Sequence, residues 1–443
     1  MIGRHLPASF PAHLPLAILA AAVLLRVGAA LVTESHPLFP PYYYTDAREY
    51  HTTGIEIARA MKDGSPIPAM TIGKGLYSLW TGLLYRLAGP RPIVPKLLNA
   101  LLTGGTIWLL YRLACLVVPP WPAALCAALL AAWPSHIFYT SQHLKEAAML
   151  ALLAGAFFIY LRQWEPERQP SILRQQAAFA AGAGLIILMG FFRTHLIPVI
   201  CIALAAGGVV QLRRHRGDRR VALSVLASFL WLATSMGLVK SVSASLQNAL
   251  GTPVMPEMAG FLPKATGGSR GSVSPFSPEN LAQYRRLRLE QDQYWSNTMV
   301  GRAIDTQLFP DLEFHTWWDV LKFLPKGMSY VLFMPLPGLY PLGRNVGRIL
   351  SSLENTALLA IFILAAIGAW RAPKRPAAVS FLVFFCLMVP PSALLEFDLG
   401  GASRHRLQFF PFLFPFAASV IATWLQKRGI IGHEKTEHPH TGL

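Results

Sequence analysis

The chain has 443 residues, 53% of them hydrophobic and 14% charged, with a mean hydropathy of +0.41 and a formal net charge of +17. Water-soluble chains carry about 25% charged residues, so the composition excludes a soluble globular protein and points to a polytopic all-α membrane protein. The surplus Arg and Lys abut apolar runs, a placement that serves topology and anionic headgroups and makes nucleic acid no expected partner.

The first apolar run, 14–33, resembles a signal peptide, but Arg26 interrupts it and no clean small-residue cleavage site follows, which predicts an uncleaved span. Arg26 must then face protein or water. A polar loop, 34–96, comes next and opens Y-Y-Y-T-D-A-R-E-Y-H (Tyr42 to His51). Within it the short apolar segment Gly75 to Leu87, flanked by Lys74 and Arg86, predicts a juxtamembrane helix. Runs of about 20 apolar residues, enough to cross a membrane, follow at 97–118, 121–139, 146–162, 176–192, 194–212 and 221–241. A second long loop, 242–348, holds a flexible approach (Gly251 to Gly271) and a polar helix (Pro278 to Asn297) with Arg285, Arg286 and Arg288 on a solvated face. Its later segment, 320–342, contains Pro325, Pro335, Pro337 and Pro341 and suits an interfacial or re-entrant element, with Trp317 and Trp318 in the headgroup belt. Three last spans, 349–370, 377–395 and 407–426, precede a polar tail. All four cysteines lie inside apolar runs and staple no loop.

Three basic clusters, Arg213–Arg220, Arg371–Arg375 and Lys427–Arg428, are cytoplasmic together only if ten helices cross and both ends lie inside. The chain then divides into an N-terminal membrane module (1–241), an outer loop region (242–348), a C-terminal membrane module (349–426) and a cytoplasmic tail (427–443). The expected location is the inner (plasma) membrane, with both long loops on its outer face.

That topology gathers ionisable residues at the outer edge, where short turns ordinarily avoid Arg and Lys. The first loop supplies Asp46, Glu49 and Tyr50; the turn before the fourth span supplies His143, Lys145 and Glu146. The next outer turn supplies Arg193 and His195, and the last supplies Glu396, Asp398, Arg404, His405 and Arg406. Carboxylates facing Arg and Lys in one pocket would suit a lipid phosphate or pyrophosphate, which Arg clamps through paired charge-assisted bonds. Plainer readings stand beside this one. Asp46 and Glu49 fit a helix-capping box, and Lys145–Glu146 fit a snorkelling lysine with a first-turn acid. Arg193 could pin a hairpin to headgroups. Arg404 and Arg406 precede a span entering the cytoplasm, where a positive-inside signal does not belong.

The order of these features resembles the GT-C superfamily of polyprenyl-phosphate-sugar-dependent glycosyltransferases, and within it the protein O-mannosyltransferase and aminoarabinose-transferase-like families. The points of resemblance are the first-loop acidic motif, its amphipathic helix from Asp46 to Met61, the juxtamembrane helix from Tyr77 to Leu87, a proline-bearing third span, Lys145–Glu146 opening the fourth, and the late Gly400…Arg404-x-Arg406. The resemblance implies an all-α fold of about ten spans, a catalytic role for Asp46, and outer Arg and Lys residues holding the carrier phosphate. Asp46-x-x-Glu49 departs from the tighter acidic pairs of better-known members, so the second acid's role stays open. Acceptor recognition is expected to fall to the 241–348 loop.

The implied reaction moves a sugar from a polyprenyl-phosphate carrier to a glycan, lipid or protein acceptor, with single inversion, in cell-envelope or exopolysaccharide synthesis. Asp46 is the expected general base and Glu49 or Glu146 orients the acceptor. Tyr50, Lys145, Arg193, His195, Arg404 and Arg406 complete the substrate and phosphate site. Metal dependence stays open, and Glu146 with Asp46 could hold Mg or Mn. A lipid-linked glycan polymerase or ligase is the first alternative; a flippase relying on Arg26, or a non-catalytic scaffold, are the others. The scarcity of acids inside spans and the lack of an internal repeat disfavour an ion-coupled transporter.

Overall fold

A computed structural model describes residues 13–36, 45–68, 74–165, 171–250, 277–300, 306–343 and 346–430. The aromatic run Tyr42–Tyr44, the Gly251 to Gly271 stretch and most of the tail lie outside them. In chain order the helices are α1 (Leu14–Ser35), α2 (Thr45–Asp63), α3 (Gly75–Ala88), α4 (Ile93–Ala114), α5 (Pro120–Ala132), α6 (Pro134–Ser141), α7 (Glu146–Gln163) and α8 (Ile172–Gly190). There follow α9 (Leu196–Arg214), α10 (Arg219–Leu250), α11 (Pro278–Val300), α12 (Trp317–Phe333), α13 (Val346–Arg371), α14 (Pro376–Leu395), α15 (Leu399–Phe409) and α16 (Phe414–Lys427).

Among the described residues, eight helices are long and apolar enough to cross a membrane: α1, α4, α7, α8, α9, α10, α13 and α14. Two bent pairs, α5–α6 at 61° and α15–α16 at 58°, raise the count to ten if each forms one span. The protein is thus an all-α, multi-pass membrane protein. Neither α3 nor α12 is among the candidate spans, as their length and proline content predict.

Two predicted spans change shape. The 121–139 run breaks at Trp133, with Pro134 opening α6, because proline has no N–H to bond back into the preceding turn and is well suited to a helix's first turn. Both raw ends of the break are satisfied by distant side chains. Arg26, fully buried in α1, donates to the Leu130 and Ala131 carbonyls that end α5, and to Thr140. Glu354 of α13 accepts from the Ser135 backbone N–H and from the Ser135 and Trp133 side chains at the start of α6. The last predicted span also begins earlier. Arg404 and Arg406 lie inside α15, not in a turn, and the chain bends through a short 3-10 turn (Phe410–Phe412) before α16.

The amphipathic α2 lies against α3 at very close range. A Cβ on Gly54 would sit 2.5 Å from Thr81 Cγ2, and one on Gly82 would strike Ile57. Only glycine permits that approach. The chain starts α3 back beside the first turn of α2, which sets Lys74 next to Asp46. The long loop is tied to the same region: Leu308 N–H donates to the Phe397 carbonyl at 2.7 Å, and Leu399 N–H to the Thr306 carbonyl at 3.0 Å. Thr316 and Asp319 form a reciprocal capping box that starts α12.

Candidate active site

Five separate segments meet at the end of the bundle where α7 and α9 begin. The first turn of α2 brings Asp46 and Glu49, which lie one turn apart on one helix face. Lys74, just before α3, donates to Asp46 Oδ1 at 2.7 Å and to Glu49 Oε2 at 2.5 Å. Arg404 of α15 donates from Nη1 to Asp46 Oδ2 at 2.6 Å, and from Nε and Nη2 to Glu146 Oε1 at 3.1 and 2.7 Å. Asp46 is therefore engaged on both oxygens by two cations, and Arg404 joins α2 to α7. Asp46 lies in the first turn of α2, and its two oxygens turn to Lys74 and Arg404.

The electrostatics follow from the pairing. Burial alone would raise the Asp46 carboxyl, but Arg404 and then Lys74 overrule it and hold it far below the usual carboxylate range. Burial works against the Lys74 charge, yet Asp46 and Glu49 raise its pKa above that of free lysine. Tyr50, one turn further along α2, is fully buried, edge-on to Tyr77 with ring centroids 4.7 Å apart, and Lys74 Nζ stands 6.0 Å from its ring. Burial, then Asp46 and Glu146, push its phenol well above the ordinary value.

Beneath these groups, Asn99 of α4 fixes the 142–146 segment. Its amide donates to the Gln142 and Leu144 carbonyls and to the Tyr77 hydroxyl at 2.7, 2.9 and 2.9 Å. That anchoring aims Lys145 and the fully buried Glu146 into the site. Lys145 is 9% exposed and donates to the Phe192 carbonyl at 3.4 Å. Burial, then repulsion from Arg193, lower its pKa to about 7. Arg193, in the turn between α8 and α9, lies within electrostatic reach of Glu146, Arg404, Tyr50 and Asp46. His195 takes the N-cap position of α9, exposed beside Arg193 and Lys145.

The structure therefore brings together Asp46, Glu49, Tyr50, Lys145, Glu146, Arg193, His195 and Arg404. Arg406 is placed elsewhere. It is fully buried and donates to the Leu332 carbonyl at 2.8 Å and to Asn355 Oδ1 at 2.6 Å, joining α15 to α12 and α13. Two residues apart on a helix point about 200° apart, so Arg404 and Arg406 cannot serve one pocket. Lys74 is the site residue that sequence reasoning left out; it stood only as the charged flank of a short apolar segment. Asp398, the N-cap of α15, accepts from Gly401 N–H at 2.9 Å and fixes the helix that carries Arg404. His405 bonds through Nδ1 to Glu396 on the neighbouring side.

Asp46 is committed on both oxygens and Glu146 on one, and among the described residues no group of three or more His, Cys, Asp or Glu is placed to hold an ion.

No protein-family model matches the chain, and no curated protein matches it by sequence. Solved structures do. The archaeal oligosaccharyltransferase AglB from Archaeoglobus fulgidus, in complex with an inhibitory peptide and a dolichol-phosphate, superposes with a TM-score of 0.50 at 14% identity, over 95% of this chain and 52% of that one. The A. fulgidus oligosaccharyltransferase tethered to an acceptor peptide with the NVT sequon gives 0.48 at 12% identity, over 95% and 51%. ArnT from Cupriavidus metallidurans bound to undecaprenyl phosphate gives 0.35 at 14% identity, over 91% and 79%. The chain shares the fold of AglB over nearly its whole length. The chain spans about half the length of the oligosaccharyltransferases it matches.

Proposed function

We propose that this protein is an integral-membrane glycosyltransferase that moves a sugar from a polyprenyl-phosphate carrier to a glycan, lipid or protein acceptor at the outer face of the membrane. The observation that carries the reading is Asp46, bridged by Lys74 and Arg404 beside Glu146, Lys145 and Arg193, all at one end of an apolar bundle. The AglB structure of the same fold is in complex with a dolichol-phosphate, a ligand of the same chemical class as the proposed carrier.

As the bond between the anomeric carbon and the phosphate breaks, negative charge grows on the phosphate, and fixed Lys and Arg groups stabilise it most at the transition state. Lys74, Lys145, Arg193 and Arg404 supply that field, with His195 at the rim. The acceptor attacks the opposite face, which inverts the anomeric centre, and its proton passes to a carboxylate. Asp46 is that carboxylate. While both its oxygens are held by cations it is a very weak base. A carrier phosphate competing for Lys74 and Arg404 loosens those bonds and restores its basicity. Glu49 and Glu146 remain to hold the cations, and Glu49 orients the acceptor. Arg406 acts in this scheme as a positioning residue for α15. Arg26, the embedded charge on which a flippase would rely, is committed to the α5–α6 break, which favours the transferase.

The test is transfer in proteoliposomes from a panel of lipid-phosphate sugars. Asp46→Asn is expected to fold and reach the membrane yet lose transfer by about a hundredfold or more, the usual scale for a general acid–base group. Transfer at the wild-type rate would refute the assignment.

A further inference from the structure

Among the described residues, Tyr50 Oη, Glu146 Oε2 and Arg193 Nε are buried and have no hydrogen-bond partner. Buried polar atoms are nearly always paired, and leaving one unpaired is costly. These three share one neighbourhood: Arg404 ties Glu146 to Asp46, one turn before Tyr50 on α2, and Lys145, next to Glu146, donates to the Phe192 carbonyl beside Arg193. The hydroxyl of the adjacent Tyr77, by contrast, is satisfied by Asn99. The residues are not loosely held. Glu146 is fixed through its other oxygen by Arg404, and Tyr50 is locked edge-on against Tyr77.

The chemistry of the trio is specific. Glu146 Oε2 accepts only, Arg193 Nε–H donates only, and the Tyr50 hydroxyl does either. A bare phosphate offers acceptors alone and would meet a carboxylate oxygen. A sugar hydroxyl both donates and accepts, so it satisfies Glu146 while receiving from Tyr50 or Arg193. We infer that Tyr50, Glu146 and Arg193 form the subsite that reads a hydroxyl of the transferred sugar, and that this sugar carries no negative charge at that position. A uronic acid would set a second carboxylate against Glu146. The inference rests on the carrier-dependent transferase proposed above and divides that site into a phosphate end (Lys74, Lys145, Arg404) and a sugar end, with Arg193 between them.

The experiment measures binding of the full-length protein in nanodiscs to farnesyl methyl phosphate, a phosphodiester without a sugar, and to the glucosyl, mannosyl, galactosyl and glucuronosyl farnesyl phosphodiesters. At least one neutral-sugar ester should bind about tenfold or more tightly than the methyl ester, the order expected for hydrogen bonds to charged groups. The glucuronosyl ester should gain nothing. Tyr50→Phe, which removes only the hydroxyl, and Arg193→Lys, which keeps the charge, should each erase most of the neutral-sugar gain. The subsite is overturned if no neutral sugar gains over methyl, if the glucuronosyl ester gains as much, or if Tyr50→Phe keeps the full gain. Failure of every phosphodiester to bind, methyl ester included, would instead sink the carrier reading.

Discussion

Arg404 reaches two carboxylates that stand 358 and 258 residues away in the chain, Asp46 and Glu146. Membrane topology made that meeting legible, because it placed the opening of α2, the start of α7 and the approach to the last span on one side. Lys74 was not legible, since a lysine before a short apolar helix has no distinguishing pattern. Arg406 was assigned to the same pocket because 396–406 read as a turn; once α15 is seen as a helix, the 200° offset separates the two arginines. At this scale the pH dependence is set by Lys145. Asp46 lies far below, and Lys74 above, their ordinary values, so neither titrates near neutrality. Lys145, with its pKa lowered to about 7, is charged below that pH and neutral above it. Affinity for a lipid phosphodiester, which does not itself titrate there, is expected to fall as pH rises above about 7. Lys145→Arg should flatten that fall, and an equal fall in the variant would count against Lys145 as a phosphate ligand.

Among the helices, the α5–α6 break shows what a hydropathy profile leaves out. The proline that opens α6 was visible in the sequence, but proline is tolerated inside spans. The 61° bend depends on partners from α1 and α13, which no local window contains. Arg26 closes the end of α5 and Glu354 the start of α6, and α6 leads directly into the 142–146 segment that presents Lys145 and Glu146. Arg26→Leu removes the donor and leaves the Leu130 and Ala131 carbonyls buried and unpaired. It should cost about 2–4 kcal/mol of stability, read as a lowered unfolding midpoint, together with reduced transfer as the 142–146 segment shifts. A variant as stable as the wild type would show that the break does not depend on Arg26. The close α2–α3 approach has the same character: Gly54 and Gly82 look unremarkable in sequence, yet they set how near Lys74 comes to Asp46.

Across the whole molecule, composition and apolar spacing were enough to read an all-α bundle of about ten spans, and the likeness to AglB agrees over nearly the full chain. The basic loop at 213–220 lies at the opposite end of α9 from Arg193, as the inside-positive reading requires. The tie between the long loop and α15 was not legible, because backbone bonds such as Leu308 to Phe397 leave no side-chain signature. The long loop therefore has a structural route to the site, through the segment that also positions Arg404. The most direct measurement of the proposed activity is the pool of lipid-linked sugars in cells from which this chain has been removed. A polyprenyl-phosphate sugar should accumulate, and the wild-type protein should return it to its normal level while Asp46→Asn, expressed equally, should not. An unchanged lipid pool, or full restoration by Asp46→Asn, would contradict a transferase centred on Asp46.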